Sequence, residues 1–213
     1  MYKLIAFDFD GTLFESLSQS LVAFRKTVSP YVGHMLSKAE IEATYGLNEE
    51  GMVRRMAHDN WEPALADFYA EYERMHEEIT EPFEGVREML DDLAARGAIL
   101  AMITGKGEVT CRISLEKLRM ADRFETVLCG EVNEPNKHKR LAELMERYGL
   151  AKDEIVYVGD STKDVDACNW AGVRCLSAAW QKDARRDVLE AINPGWVFDS
   201  IEELRAHLIE NIA

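Results

Sequence analysis

Two acids stand two residues apart in DFDGT, residues 8–12, where a short apolar run gives way to a glycine turn. Carboxylates at positions i and i+2 of a strand point to the same side. Asp8 and Asp10 therefore repel each other unless a cation intervenes. Hard oxygen ligands in that arrangement suit Mg²⁺, which commonly bridges carboxylate and substrate phosphate. A second acid pair, Asp160 and Asp164 in IVYVGDSTKD, follows another apolar run and opens a helix near Thr162. Between them, ITGKG places the Thr104 hydroxyl and the backbone of Gly105 and Lys106 just before a helix, whose N-terminus favours an anion. Lys137, with Lys139 as its rival, lies where the chain enters a further helix and can offset phosphate charge.

These residues share a setting only if the elements carrying them are parallel strands. Apolar runs rich in Ile, Val and Leu recur at 3–9, 98–103, 125–129, 154–158, 173–177 and 196–198, with helical patterns between most of them. Such alternation predicts a parallel sheet with helices on both faces, and open α/β sheets bind ligands at the carboxyl edge of their strands. Nearly ninety residues separate the first two runs, far more than a parallel crossover needs. An inserted all-helical unit at about 15–80 explains them, with helices at 16–30, 37–45, 48–58 and 61–79. In the last of these, Leu65, Phe68, Tyr69, Tyr72, Met75 and Ile79 form one apolar stripe. Segment 84–96 returns the chain to the sheet, 138–148 is helical, and Ser200 with Glu203 marks the start of a final helix to about 211.

The net charge of −14 disfavours nucleic acid and anionic membranes as partners, so a small phosphorylated ligand needs cations concentrated in a pocket. Cys111, Cys129, Cys168 and Cys175 show no metal-knuckle spacing and read as reduced thiols of a cytoplasmic protein. MYKLIAFDFDG has the wrong charge order for a signal peptide and is too short for a membrane span.

The ordered set DFDGT, Thr104, Lys137 and GDSTKD resembles the four motifs of the haloacid dehalogenase superfamily, over nearly the whole chain. The third motif departs from the usual Lys-Pro: Glu134-Pro135 precedes Asn136-Lys137. The insert and the stretch FESLSQSL resemble the helical cap and linker of phosphoglycolate phosphatase-like and β-phosphoglucomutase-like members. The resemblance implies a Rossmann-like core, residues 1–14 and 81–213, with strand order 5-4-1-2-3, and a helical cap at 15–80. It implies an Mg²⁺-dependent phosphatase in which Asp8 attacks phosphorus, Asp10 is the general acid and base, and Thr104 and Lys137 hold phosphoryl oxygens. Metal ligands would be Asp8, the Asp10 backbone carbonyl and Asp160, with Asp164 acting through water or Lys137. Glu15, Ser16, Arg54, Arg55, Gly105 and Lys106 are candidate substrate contacts. Phosphoglycolate is the default substrate by resemblance, and a low-specificity role stands beside it; either a monomer or a homodimer is open.

Rivals share this scaffold. A dehalogenase lacks an acid at the Asp10 position, and a phosphonatase needs a cap lysine, for which only Lys26 and Lys38 are available. A phosphosugar mutase would need a second phosphate site, which Arg54 or Arg55 could supply. A catalytically silent binding protein would keep the fold alone.

Overall fold

The computed structural model describes residues 1–78 and 81–212. Six strands, β1 (Leu4–Phe7), β2 (Ile99–Ile103), β3 (Thr126–Leu128), β4 (Ile155–Gly159), β5 (Arg174–Ala178) and β6 (Val197–Phe198), form one parallel sheet in the order β3-β2-β1-β4-β5-β6. The expected order 5-4-1-2-3 thus gains a sixth strand at the β5 edge, supplied by the apolar run at 196–198.

Alternation along the strands sends side chains to two helical layers. Ile5, Phe7, Met102 and Val158 pack with α5 (Val86–Ala95), α6 (Glu108–Lys117) and α10 (Ile201–Asn211). Leu4, Ala6, Ile103 and Tyr157 pack with α7 (Lys137–Tyr148), α8 (Thr162–Ala171) and α9 (Arg186–Ile192). The seven-residue α9 was not anticipated, because so short a segment shows too little periodicity.

Among the described residues between β1 and α5 lie α1 (Leu17–Val32), α2 (Lys38–Glu42), α3 (Glu49–Ala57) and α4 (Trp61–Met75). Phe24, Val28, Ile41, Val53, Leu65 and Phe68 give these helices an apolar core of their own, which also takes in Ile113 of α6. Helix α1 runs past the expected end through Pro30 and stops at Gly33 in the left-handed conformation. Helix α2 is shorter than expected, opening on a reciprocal Ser37–Glu40 cap. The stripe expected over 61–79 is α-helical to Met75 and tightens to a 3₁₀ turn at His76–Glu78; Ile79 lies outside the described residues.

Candidate active site

Register puts the acids together. Phe7 lies opposite both Met102 and Val158, so the chain leaves β1, β2 and β4 at nearly one level of the same sheet edge. Asp8 continues β1 by donating its N–H to the Val158 carbonyl at 2.8 Å, while its Oδ1 accepts the Phe9 N–H at 2.8 Å. Gly11, at φ +77°, turns the chain away, and a Cβ there would lie 2.7 Å from the Asp160 carboxyl carbon. At the end of β4, Ser161 caps α8 by bonding the Asp164 N–H, and Asp164 returns a carboxylate oxygen to the Ser161 N–H at 3.0 Å.

Lys137, the first residue of α7, reaches 129 residues back in sequence: its Nζ lies 2.7 Å from Asp8 Oδ2 and 2.6 Å from Asp164 Oδ1. Lys139 instead pairs with Glu134 on the surface. Asp164 is fully buried, with Tyr157 Oη at 3.2 Å from Oδ1 and Ser161 Oγ at 2.6 Å from Oδ2. Both its oxygens are therefore engaged in holding Lys137 and the α8 turn. Asp160 accepts the Gln181 side-chain amide at 3.1 Å.

Burial pushes the Asp8 carboxyl above its ordinary range, Lys137 opposes that, and Asp164 adds to it. Asp160 is driven up by burial and then by Asp8 and Asp164. Burial would lower the Lys137 ammonium, but Asp164 and Asp8 outweigh it and hold it above the usual lysine range. One ammonium among three carboxylates leaves negative charge facing inward. Oxygens of Asp8, Asp160 and Asp164 lie within 4.8 Å of one another, and an all-oxygen set of this size fits a hard divalent cation.

A second buried lysine serves Asp10. Lys106 Nζ lies 3.1 Å from Asp10 Oδ1, which also accepts the Ser16 hydroxyl, and donates to Tyr72 Oη of α4 at 2.8 Å. From Tyr72 the chain of bonds runs to Ser114 Oγ at 2.8 Å and on to His76 Nε2 at 3.3 Å. His76 Nδ1 faces the Tyr72 carbonyl at 2.9 Å and must donate to it, so in the neutral ring Nε2 accepts from Ser114. Sequence reading took Tyr72 only as a core residue and overlooked Ser114 and His76; no spacing signal links them.

This wiring makes stability depend on pH. Burial lowers the His76 value below the usual 6.5, the bond to Tyr72 resists, and the nearby Lys106 charge adds to the lowering while Asp10 opposes it. A depressed histidine binds fewer protons folded than unfolded, so its contribution is present above about 6.5 and is lost as pH falls through the folded value. His76→Phe is expected to lose less urea resistance between pH 7.5 and 5.5 than the unaltered chain. Equal losses would remove His76 from the account.

The other predicted residues divide. Gly105 and Lys106 line a cavity of about 760 Å³ together with Asp8, Asp10, Lys137 and Asp160. Thr104 is fully buried and accepts the Lys106 N–H at 3.2 Å, which leaves its own O–H free to donate. Ser16 is buried on Asp10, whereas Glu15 is exposed and bonds Ser18. Arg54 pairs with Glu50 at 2.6 Å and stacks 4.0 Å from the Trp61 ring centroid, so it is held away from the cavity; Arg55 is exposed and does not line it either.

The anion expected at the N-terminus of α6 is supplied by the protein. Glu49, opening α3, accepts the Gly107 N–H at 2.6 Å and the Thr110 hydroxyl at 2.6 Å. Substrate would therefore meet Lys106 and Lys137 rather than that helix end. Beside it, the Asn48 N–H bonds the Glu131 carbonyl at 2.9 Å, and Lys163 Nζ bonds the Tyr45 carbonyl at 2.9 Å, seating the helical segment on the sheet edge.

Residues 5–178 match the family model described as haloacid dehalogenase-like hydrolase. The chain is 32% identical over 216 residues to a phosphoglycolate phosphatase of Pseudomonas syringae pv. syringae, covering 95% of this chain and 78% of the relative. In fold it is similar to the crystal structure of a predicted phosphoglycolate phosphatase from Haemophilus somnus, with TM-score 0.80, 22% identity and 97% of both chains covered. It is similar also to CbbY from Rhodobacter sphaeroides in complex with phosphate, with TM-score 0.76, 17% identity and 96% of both chains covered.

Proposed function

The chain belongs to the haloacid dehalogenase-like hydrolases, and on that premise we propose that it is an Mg²⁺-dependent phosphatase hydrolysing a small phosphate monoester through an aspartyl-phosphate on Asp8. We assign residues 15–80 to a cap and 1–14 with 81–213 to the catalytic core. The convergence of Asp8, Asp10, Lys137 and Asp160 at the floor of one cavity supports the reading most directly.

Asp8 would attack phosphorus, expelling the alcohol, and hydrolysis of the acyl phosphate would regenerate the carboxylate. Asp10, held by Ser16 and Lys106, would give a proton to the departing oxygen and later take one from the attacking water. Lys137 and the Thr104 O–H would receive phosphoryl oxygens, with Asp164 fixing the lysine in place. Mg²⁺ would be held by Asp8, Asp160 and the Asp10 backbone carbonyl, where it would neutralise charge between carboxylate and phosphate.

Competing chemistries lack their residues. Lys26 pairs with Glu71 and Lys38 with Glu42, both exposed, which argues against a Schiff-base lysine. A mutase needs a second anion site, and among the described residues no Lys or Arg of α1–α4 lines the cavity. All four cysteines are free, which suits the reducing cytoplasm we assign to the protein, and among the described residues no helix is long and apolar enough to cross a membrane.

Release of inorganic phosphate from phenyl phosphate is expected with Mg²⁺ and not with EDTA, with activity restored by added Mg²⁺. Gly11→Ala is expected to raise the Mg²⁺ needed for half-maximal rate by about 10–100-fold, because its Cβ would displace Asp160. Thermal-shift titration with Mg²⁺ should move in parallel. Turnover indifferent to EDTA would sink the metal assignment.

A further inference from the structure

We propose that the alcohol released by this enzyme is uncharged and apolar, and larger than a two-carbon acid; this rests on the phosphatase reading above. The wall that the helical segment contributes to the cavity is formed chiefly by Leu21, Phe24, Ile41, Leu47, Met52 and Phe68. Its charged members are Glu42 and Glu49, and among the described residues it offers no Lys, Arg or His.

The core side does not make up the deficit. Lys137 is committed to Asp8 and Asp164, and Lys106 to Asp10. Lys137 thus serves the nucleophile, and Lys106 is held between Asp10 and Tyr72. Lys163 is tied to the Tyr45 carbonyl, and Arg185 is an exposed side chain. Counting all lining residues, seven carboxylates face four Lys and Arg. The charge of bound Mg²⁺ and that of the phosphoryl group roughly cancel, so a second anion on the leaving group would enter a net negative, partly apolar enclosure whose two buried lysines are already engaged.

Size points the same way. A cavity of about 760 Å³ lies within the range that encloses drug-sized ligands, and a two-carbon leaving group would leave most of the apolar wall uncovered. The geometry therefore departs from the substrate in the relatives' names and disfavours pyrophosphate and sugar bisphosphates.

The test compares phenyl phosphate with 4-carboxyphenyl phosphate, two esters of like shape differing in one charge, under Mg²⁺. We expect kcat/KM to favour the uncharged ester by about tenfold or more, and phosphoglycolate to fall below both. Leu21→Lys, on the half-buried face of α1, is expected to move the ratio toward the carboxylated ester by about fivefold or more. Because a ratio is read, any general loss of activity in the variant cancels. Equal or reversed preference in the unaltered enzyme overturns the inference while leaving the phosphatase reading standing. Failure to hydrolyse either ester overturns that reading, and the inference with it. A ratio unmoved in Leu21→Lys counts against charge as the basis of selection.

Discussion

Asp8→Asn is expected to lower phosphate release by about 10⁴-fold or more, because under the proposed mechanism it removes the atom that would bond to phosphorus while leaving the rest of the site in place. The substitution is close to isosteric, yet not electrostatically neutral. Asp8 Oδ1 accepts the Phe9 N–H and Oδ2 accepts the Lys137 ammonium, so an amide must turn its NH₂ toward one of these donors. A modest loss of thermal stability should accompany the loss of activity, with the fold retained by circular dichroism. The sharper measurement is chemical trapping. Acid quenching during turnover of a ³²P-labelled ester should leave label on the unaltered protein and none on Asp8→Asn. Label retained by the variant, or activity above about one part in a hundred, would mean that another group attacks phosphorus.

The second large effect concerns Asp10 and depends on the substrate. With an alkyl phosphate, whose leaving oxygen needs a proton, Asp10→Asn should cost about 10²–10⁴-fold. With 4-nitrophenyl phosphate, whose leaving group departs as an anion, the loss in the first step should shrink to within about tenfold. Asn can still accept the Ser16 hydroxyl and the Lys106 ammonium through its oxygen, so gross unfolding is not expected. An equal loss with both esters would assign Asp10 to positioning rather than proton transfer. Lys106→Met offers a contrast: it removes the link from Asp10 to Tyr72 and should weaken both esters alike.

Much of the site was legible because its parts are local. Asp8 and Asp160 each follow a buried strand directly, and an apolar run ending in acid and glycine shows that junction without reference to anything distant. Parallel strands in matching register then carry the two to one edge. The helical nature of the insert was equally legible from its periodicity, although its ends shifted by a few residues at Pro30, at the Ser37 cap and at His76. Lys137 could be named from its place before a helix, but the sequence did not separate it from Lys139; the fold sets Lys137 on Asp8 and Lys139 on Glu134.

The sequence by itself determined the parallel sheet, the helical insert, and the acids and lysine at the strand ends, since alternation, turn glycines and caps act over a few residues. Tertiary structure decided what surrounds them. It joined Lys106 to Tyr72, 34 residues away, placed Glu49 on the start of α6, set Gln181 on Asp160, and turned Arg54 onto Trp61 rather than into the cavity. Periodicity states which face of a helix is apolar. It does not state how that helix is rotated and seated against another unit, and on that seating depend the apolar wall, the second lysine's partners and the charge a substrate meets.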